Sequence, residues 1–163
     1  MRYKKALVTG GAGFIGSHLV RALLERGLEV IVLDDLSMGR RENVPAEAAF
    51  IEADVLDSER LRKALLGVDI VFHLAARVTV RASMERFVDD AQTNVMGTLS
   101  VLQACRGSSV GKIILASSMA VYADTARPVP IPETYATEPI SPYGISKLAS
   151  EKYLHCVCNT AGI

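Results

Sequence analysis

Residues 9–16 read Thr9-Gly10-Gly11-Ala12-Gly13-Phe14-Ile15-Gly16, and their reading decides the fold. They lie between a short apolar run, Lys5 to Thr9, and an amphipathic stretch that begins at Phe14. A strand, a glycine turn and a helix are the expected order. Gly10 suits the tight turn, Gly13 lets a ligand's pyrophosphate approach the backbone, and Gly16 permits close packing of helix on strand. The helix N-terminus that follows offers free N–H groups and a positive dipole end, which is a seat for phosphate. Glycines alone would also fit an unliganded flexible turn, so the context has to carry the reading.

That context comes eighteen residues after Gly16, where Asp34 and Asp35 end a second apolar run. A carboxylate at this place in a strand–helix–strand unit grips the ribose hydroxyls of an adenine dinucleotide. Asp34 would repel a 2′-phosphate, which favours NAD over NADP. Arg40 and Arg41 argue the other way if their guanidinium groups accept that phosphate, and form an ordinary solvated charge pair if they do not.

Working outward, β-branched runs alternate with longer amphipathic stretches along the whole chain. The strand candidates are Lys5 to Thr9, Glu29 to Leu33, Ala49 to Glu52, Ile70 to Leu74 and Lys112 to Ser117. Their apolar continuity predicts burial on both faces. Helices are expected over Phe14 to Arg26, Ser58 to Leu66, Asp89 to Arg106 and Pro142 to Cys158, with Gly27, Gly67 and Gly107 as C-terminal caps. Right-handed crossovers then give an α/β, doubly wound, Rossmann-type parallel sheet of strand order 3-2-1-4-5. Residues 1–163 form one domain in this reading. Ala123 to Pro142 holds five of the six prolines and is expected to be a long loop.

Composition narrows the function classes. Eighteen basic and eighteen acidic residues cancel, so no single-sign field attracts nucleic acid or an acidic membrane. The basic start, Met1 to Lys5, precedes only three apolar residues, too few for a signal peptide. Cys105, Cys156 and Cys158 have no paired C-x-x-C spacing, so neither a disulfide framework nor a metal site is expected. A soluble cytoplasmic protein with a small-molecule partner is the expectation.

Tyr143 and Lys147 stand four apart in Tyr-Gly-Ile-Ser-Lys, on one face of the last helix. A phenol is a poor base at neutral pH, but an adjacent ammonium favours its ionised form, which suits Tyr143 to general acid/base work. The same spacing is common on helix surfaces. Ser117 and Ser118 close the fifth strand, whose C-terminal end is where such sheets bind ligands. Ser118 would hydrogen-bond a substrate hydroxyl, or merely supply strand-end polarity. His73 is read as a strand-end residue rather than a catalytic one.

These motifs together resemble the extended short-chain dehydrogenase/reductase family, and within it the UDP-glucose 4-epimerase-like NAD-dependent epimerases, which are isomerases. The similarity runs from Lys5 to about Tyr153. Its marks are the glycine motif, His73-Leu74-Ala75-Ala76, Asn94, Ser117-Ser118-Met119-Ala120-Val121-Tyr122 and Ser141-Pro142-Tyr143-Gly144-Ile145-Ser146-Lys147, all in family order. The resemblance implies pyrophosphate contacts from Gly10, Gly13, Phe14, Ile15 and Gly16, a ribose contact from Asp34, and adenine contacts from Asp54 and Val55. It places Leu74, Ala75 and Ala76 beneath the nicotinamide half, puts Asn94 and Ser117 in or beside the cofactor site, and makes Ser118, Tyr143 and Lys147 the catalytic three. Tyr143 and Lys147 would also touch the cofactor.

Dehydratase and decarboxylase members carry threonine with acidic residues where this chain has Ser118-Met119-Ala120, which points toward epimerization of a nucleotide sugar, most simply a UDP-sugar. In the family a further strand and a substrate domain follow the tyrosine helix. Here the substrate domain is expected to be absent, giving a chain that binds NAD with little turnover. The fifth strand would present an open edge at Ile113, Ile114 and Leu115. Homodimerization through the helices at 89–106 and 142–158 is expected from the resemblance. A non-catalytic NAD-binding module, or a reductase or dehydratase for another nucleotide sugar, are the alternatives.

Overall fold

The computed structural model describes residues 3–125 and 129–163. Met1 and Arg2 of the basic start, and Pro128 of the proline-rich loop, lie outside the described residues. Five parallel strands form one sheet: β1 (Lys5–Thr9), β2 (Glu29–Asp34), β3 (Ala49–Glu52), β4 (Ile70–His73) and β5 (Lys112–Leu115), in the order β3-β2-β1-β4-β5. The expected doubly wound topology is therefore present.

Alternation along each strand divides the apolar side chains between two layers. Ala6, Val8, Val30, Val32 and Ile70 turn toward α1 (Phe14–Glu25) and pack with Val20 and Leu23. Leu7, Ile31, Leu33 and Val71 turn the other way. There they meet α2 (Ser58–Ala64), α5 (Gly97–Cys105) and the end of α6 (Pro142–Ala161) through Leu61, Val101, Leu102 and Cys158. Burial on both faces holds for β1, β2 and β4. The edge strands differ: β3 has no buried residue and β5 buries only Ile113, because each has a neighbour on one side alone.

Local chemistry sets the ends of the helices. Leu28 donates to Leu23 at 3.1 Å and Gly27 to Leu24 at 2.8 Å, with Gly27 at φ +78°, a glycine-closed terminus. Gly67 and Gly107 also take positive φ where the sequence predicts caps. Ser141 Oγ accepts from Gly144 N–H at 3.1 Å and Pro142 opens α6, so that helix starts where sequence reading places it. It runs on to Ala161, three residues beyond the expected Cys158, before Gly162 closes it.

The expected helix over 89–106 is a compound element. It starts earlier, as α4 (Phe87–Ala91), passes through a π-helical segment (Gln92–Met96) and continues as α5. A short α3 (Val80–Glu85) precedes it and has no counterpart in the sequence reading, because most of its side chains are exposed and show no helical stripe. Single-turn 3-10 helices occupy Arg41–Asn43 and Met119–Val121.

Candidate functional site

The glycine turn lies at the C-terminal end of β1, against the segment that leaves β4. A Cβ on Gly10 would stand 2.6 Å from Ala75 N and 2.8 Å from the Leu74 carbonyl carbon, and Gly10 holds φ +70°. Both the backbone conformation and the close approach therefore require glycine there. A Cβ on Gly16 would run into the Gly10 carbonyl oxygen and approach Gly11 Cα to 2.7 Å, so Gly16 lets α1 sit directly on the turn. Gly13 is different. An added Cβ would meet only Gly10 O, at 3.3 Å, which leaves the outer side of the turn open. Phe14 and Ile15 follow it with their side chains largely exposed.

Asp34, at the end of β2, is buried and fully oriented. Its Oδ2 accepts from Ala12 N–H and its Oδ1 from Leu36 N–H, each at 2.9 Å. Leu36 adopts φ 59°, the one non-glycine residue in the left-handed region among those described. That strain is offset in part by the bond to Asp34. Ala12 O in turn accepts from Arg40 N–H at 3.1 Å and Asn43 Nδ2 at 2.9 Å. Thus the loop after β2 clamps the glycine turn. Arg41 stacks its guanidinium 4.6 Å above the Phe50 ring and donates to Val44 O. Arg40 makes a loose, exposed pair with Glu42 at 3.8 Å. Asp54 is exposed and accepts from Leu56 N–H, whereas Val55 is buried in the core, where it leaves no room for a Cβ on Gly97.

Beyond β4, Leu74, Ala75 and Ala76 are half-buried. Leu74 N–H donates to Thr9 O at 3.0 Å and Ala75 N–H to Thr9 Oγ1 at 3.3 Å. The Thr9 hydroxyl is held by His73 Nδ1 at 2.7 Å, while His73 Nε2 meets Thr98 Oγ1 at 3.1 Å. Thr98 Oγ1 donates to Asn94 O at 2.6 Å. Every group is satisfied when Thr9 donates to Nδ1 and Nε2–H donates to Thr98, so His73 acts as a neutral bridge. Burial, aided by the Lys147 charge, pushes its pKa down to about 3. His73 closes β4, the strand-end position the sequence reading gives it.

Asn94 lies in the π-helical segment with its side chain buried. Its Oδ1 accepts from Arg77 N–H at 2.8 Å, and its Nδ2 lies 3.1 Å from each of Arg77 O, Asp90 Oδ1 and Ser146 Oγ. It thus ties the loop after β4 to α6. These bonds give Asn94 a supporting part in the loop after β4. π-helical turns recur where a side chain must be re-aimed at a functional site.

Tyr143 and Lys147 occupy the first turns of α6 and are buried, Lys147 at 4% exposure. Tyr143 N–H donates to Ser83 Oγ at 3.1 Å, which fixes the helix start on α3. Burial holds the Lys147 amine below the ordinary lysine range, and the Asp90 and Glu151 carboxylates act in the opposite sense. Ser118 caps the 3-10 turn after β5, accepting from Ala120 N–H at 3.1 Å. A Cβ on Gly144 would strike the Ala120 carbonyl oxygen, so that turn packs directly on α6 beside Tyr143. Ser117 donates instead to Glu151, one helical turn past Lys147.

The predicted residues at the ends of β1, β4 and β5 and at the start of α6 therefore form one connected region. Sequence reasoning missed Ser83, Asp90, Thr98, Ser146, Ser150 and Glu151. For all of these but Ser83 the signal was present as spacings of four: Asp90, Asn94 and Thr98 in one stretch, and Ser146 with Ser150, and Lys147 with Glu151, in another. A separate groove of about 440 Å³ between α2, α5 and α6, lined by Arg62, Leu99, Gln103, Arg106 and Val157 among others, contains none of the predicted site residues.

A sequence model of the NAD dependent epimerase/dehydratase family matches residues 6–163. The chain belongs to that family. Among curated members, it is 40% identical over 158 residues to a putative UDP-glucose 4-epimerase of Methanocaldococcus jannaschii, covering 96% of this chain and 52% of that protein. A solved UDP-glucose 4-epimerase of Thermus thermophilus, in complex with NAD, superposes with a TM-score of 0.93 at 43% identity, covering 98% of this chain and 52% of that one. The Thermotoga maritima UDP-glucose 4-epimerase, solved with UDP-glucose, gives a TM-score of 0.92 at 41% identity, with 98% and 52% covered. This family member thus spans about half the length of the relatives it matches. Among the described residues, no helix is long and apolar enough to cross a membrane, and no group of three or more His, Cys, Asp or Glu side chains is arranged to hold a metal ion.

Proposed function

We propose that residues 1–163 form the NAD-binding domain of a nucleotide-sugar 4-epimerase acting on UDP-glucose and UDP-galactose, or on a closely similar UDP-sugar. The observation that carries this reading is the joining of a glycine turn open at Gly13 to a buried Tyr143–Lys147 pair through the His73–Thr98–Asn94 network. A module that only bound the dinucleotide would have no use for the tyrosine and lysine.

The residues present fit the cofactor. Gly10, Gly13, Phe14, Ile15 and Gly16 would receive the pyrophosphate, Asp34 the adenosine ribose, Asp54 and the backbone at Val55 the adenine, and Leu74, Ala75 and Ala76 the nicotinamide half. Ser117 would line the same cleft, and Asn94 would hold it in shape. Both oxygens of Asp34 accept backbone N–H groups yet keep lone pairs for ribose hydroxyls, while Arg41 is occupied elsewhere, which supports NAD rather than NADP.

When bound, NAD would supply reversible hydride exchange at the sugar C4. Tyr143 takes the proton of the 4-hydroxyl as the C4–H bond breaks, and gives it back when that bond reforms. The 4-keto sugar formed between these events must be free to turn over. Lys147 would keep a positive charge near the phenol and would hold the nicotinamide ribose. Ser118 donates a hydrogen bond to the reacting oxygen.

Relatives in which the sugar nucleotide is held are about twice as long, and substrate positioning is worth several kcal/mol of barrier. The 163-residue chain is therefore proposed to bind NAD while converting UDP-glucose slowly. It is further proposed to be cytoplasmic and to form a homodimer through the α4–α5 element and α6. Calorimetric titration with NAD and NADP, followed by addition of UDP-glucose while watching for reduced nicotinamide, tests the function. Saturable NAD binding with weak conversion is the expected result, and no detectable NAD binding would overturn it.

A further inference from the structure

Asp90 on α4 is 2% exposed, and its Oδ2 has no hydrogen-bond partner among the described residues. An unpaired oxygen on a buried carboxylate is costly unless a positive charge lies close by. Its other oxygen accepts from Asn94 Nδ2, and the same amide reaches Ser146 Oγ, each at 3.1 Å. Ser146 directly precedes Lys147 on α6, and Lys147 makes no ion pair within contact distance among the described residues. One amide group therefore ties the buried carboxylate to the segment bearing the buried ammonium.

We infer that Asp90 is a positioning residue for Lys147: bound through Asn94 to α6, it is the interior counter-charge that holds the lysine as an ammonium behind the proposed active site.

The groups facing the Lys147 amine come from three elements. Asp90 comes from α4, Glu151 from one turn further along α6, and His73 from β4, while Tyr143 lies one turn before Lys147 on α6. His73 is neutral near pH 7, since its pKa is pushed to about 3, and supplies no counter-charge. Glu151 is partly exposed and already accepts from Ser117, so solvent screens its charge. Asp90 is unscreened. Burial acts to remove the Lys147 proton, and Asp90 is the first of the charges opposing that loss.

This inference rests on the proposed role of Lys147. Its test uses neither cofactor nor substrate, so its failure would leave the NAD-binding proposal standing. Asp90→Asn keeps the side-chain shape and the acceptor for Asn94 while removing the charge. In lysine-labelled 163-residue protein followed by NMR, Lys147 should lose its proton at a lower pH in Asp90→Asn than in the unaltered chain. Asp90→Glu, which keeps the charge, should restore the transition toward its original position. A transition unmoved or raised in Asp90→Asn overturns the inference.

A thermal cycle decides the matter even if Asp90→Asn folds poorly. Lys147→Met leaves the carboxylate buried and alone, whereas Lys147→Met combined with Asp90→Asn removes both charges. The double variant should melt above Lys147→Met. Equal or lower melting would show that the two side chains are not paired, and a merely space-filling role for Asp90 gives that result.

Discussion

Two glycines of one motif, three residues apart, are expected to fail in different ways when replaced by alanine. At Gly16 the new Cβ meets the Gly10 carbonyl oxygen and stands 2.7 Å from Gly11 Cα and 2.9 Å from the Gly10 carbonyl carbon. All three are backbone atoms and none can rotate aside. Ordinary contact would need the turn to move by roughly 1 Å, and overpacking of this kind costs about 3 kcal/mol. Better helix propensity returns about 1 kcal/mol of that, because Gly16 is inside α1. The net loss of about 2 kcal/mol corresponds to a fall in Tm of roughly 4–8 °C for a chain of this size.

At Gly13 the new Cβ meets only Gly10 O at 3.3 Å, and φ −76° is open to any residue. The poorer helix cap and the reduced freedom of the unfolded chain are opposed effects of about 0.5–1 kcal/mol each. Stability should therefore stay within about 1 kcal/mol of the parent, while the methyl group projects from the open side of the turn, where the proposed function seats the pyrophosphate. Calorimetric melting and NAD titration of both variants separate the two effects. The expected pattern is Gly16→Ala destabilised, and Gly13→Ala close to parental in melting but at least about tenfold weaker for NAD, a loss of about 1.4 kcal/mol. Equal destabilisation of the two, or parental NAD affinity in Gly13→Ala, would refute the reasoning.

Two further outcomes follow from the site. His73 is held neutral with a folded pKa of about 3, below the unfolded value near 6.5, so the unfolded chain binds more protons between these limits. The stability this contributes is complete above about pH 6.5 and is lost toward pH 3 at up to about 1.4 kcal/mol per pH unit; denaturant unfolding across that window should show the slope, and His73→Asn should flatten it. Asp34→Asn should weaken NAD binding about tenfold and narrow the preference over NADP, since a neutral amide no longer repels a 2′-phosphate. Parallel titrations with the two dinucleotides check this, and an unchanged ratio would count against Asp34 as the discriminating group.

Much of this architecture is legible in the chain because its signals are local. The strand β1 and the helix start at Phe14 flank the glycines as expected, and the β3 boundaries agree at both ends. A short apolar run, a glycine with a steric reason, or a serine before Pro142 acts within a few residues. Parallel pairing then follows from right-handed connections of adequate length. The helix over 80–85 and the π-helical segment at 92–96 were not legible, because the first exposes most of its side chains and the second exists to aim Asn94 at Arg77.

By itself, then, the amino-acid order determined the sheet, its winding, and the identities of the glycine, aspartate, tyrosine and lysine groups. Tertiary structure alone decided their states. It buried Lys147 and Asp90, turned His73 into a neutral bridge, and set Asn94 to hold the Arg77 backbone. Those states depend on burial and on hydrogen bonds such as Thr9 to His73, 64 residues apart, and Asn94 to Ser146, 52 apart. Desolvation and long-range pairing come into being only when the layers close over the sheet, so no neighbouring stretch of chain can encode them.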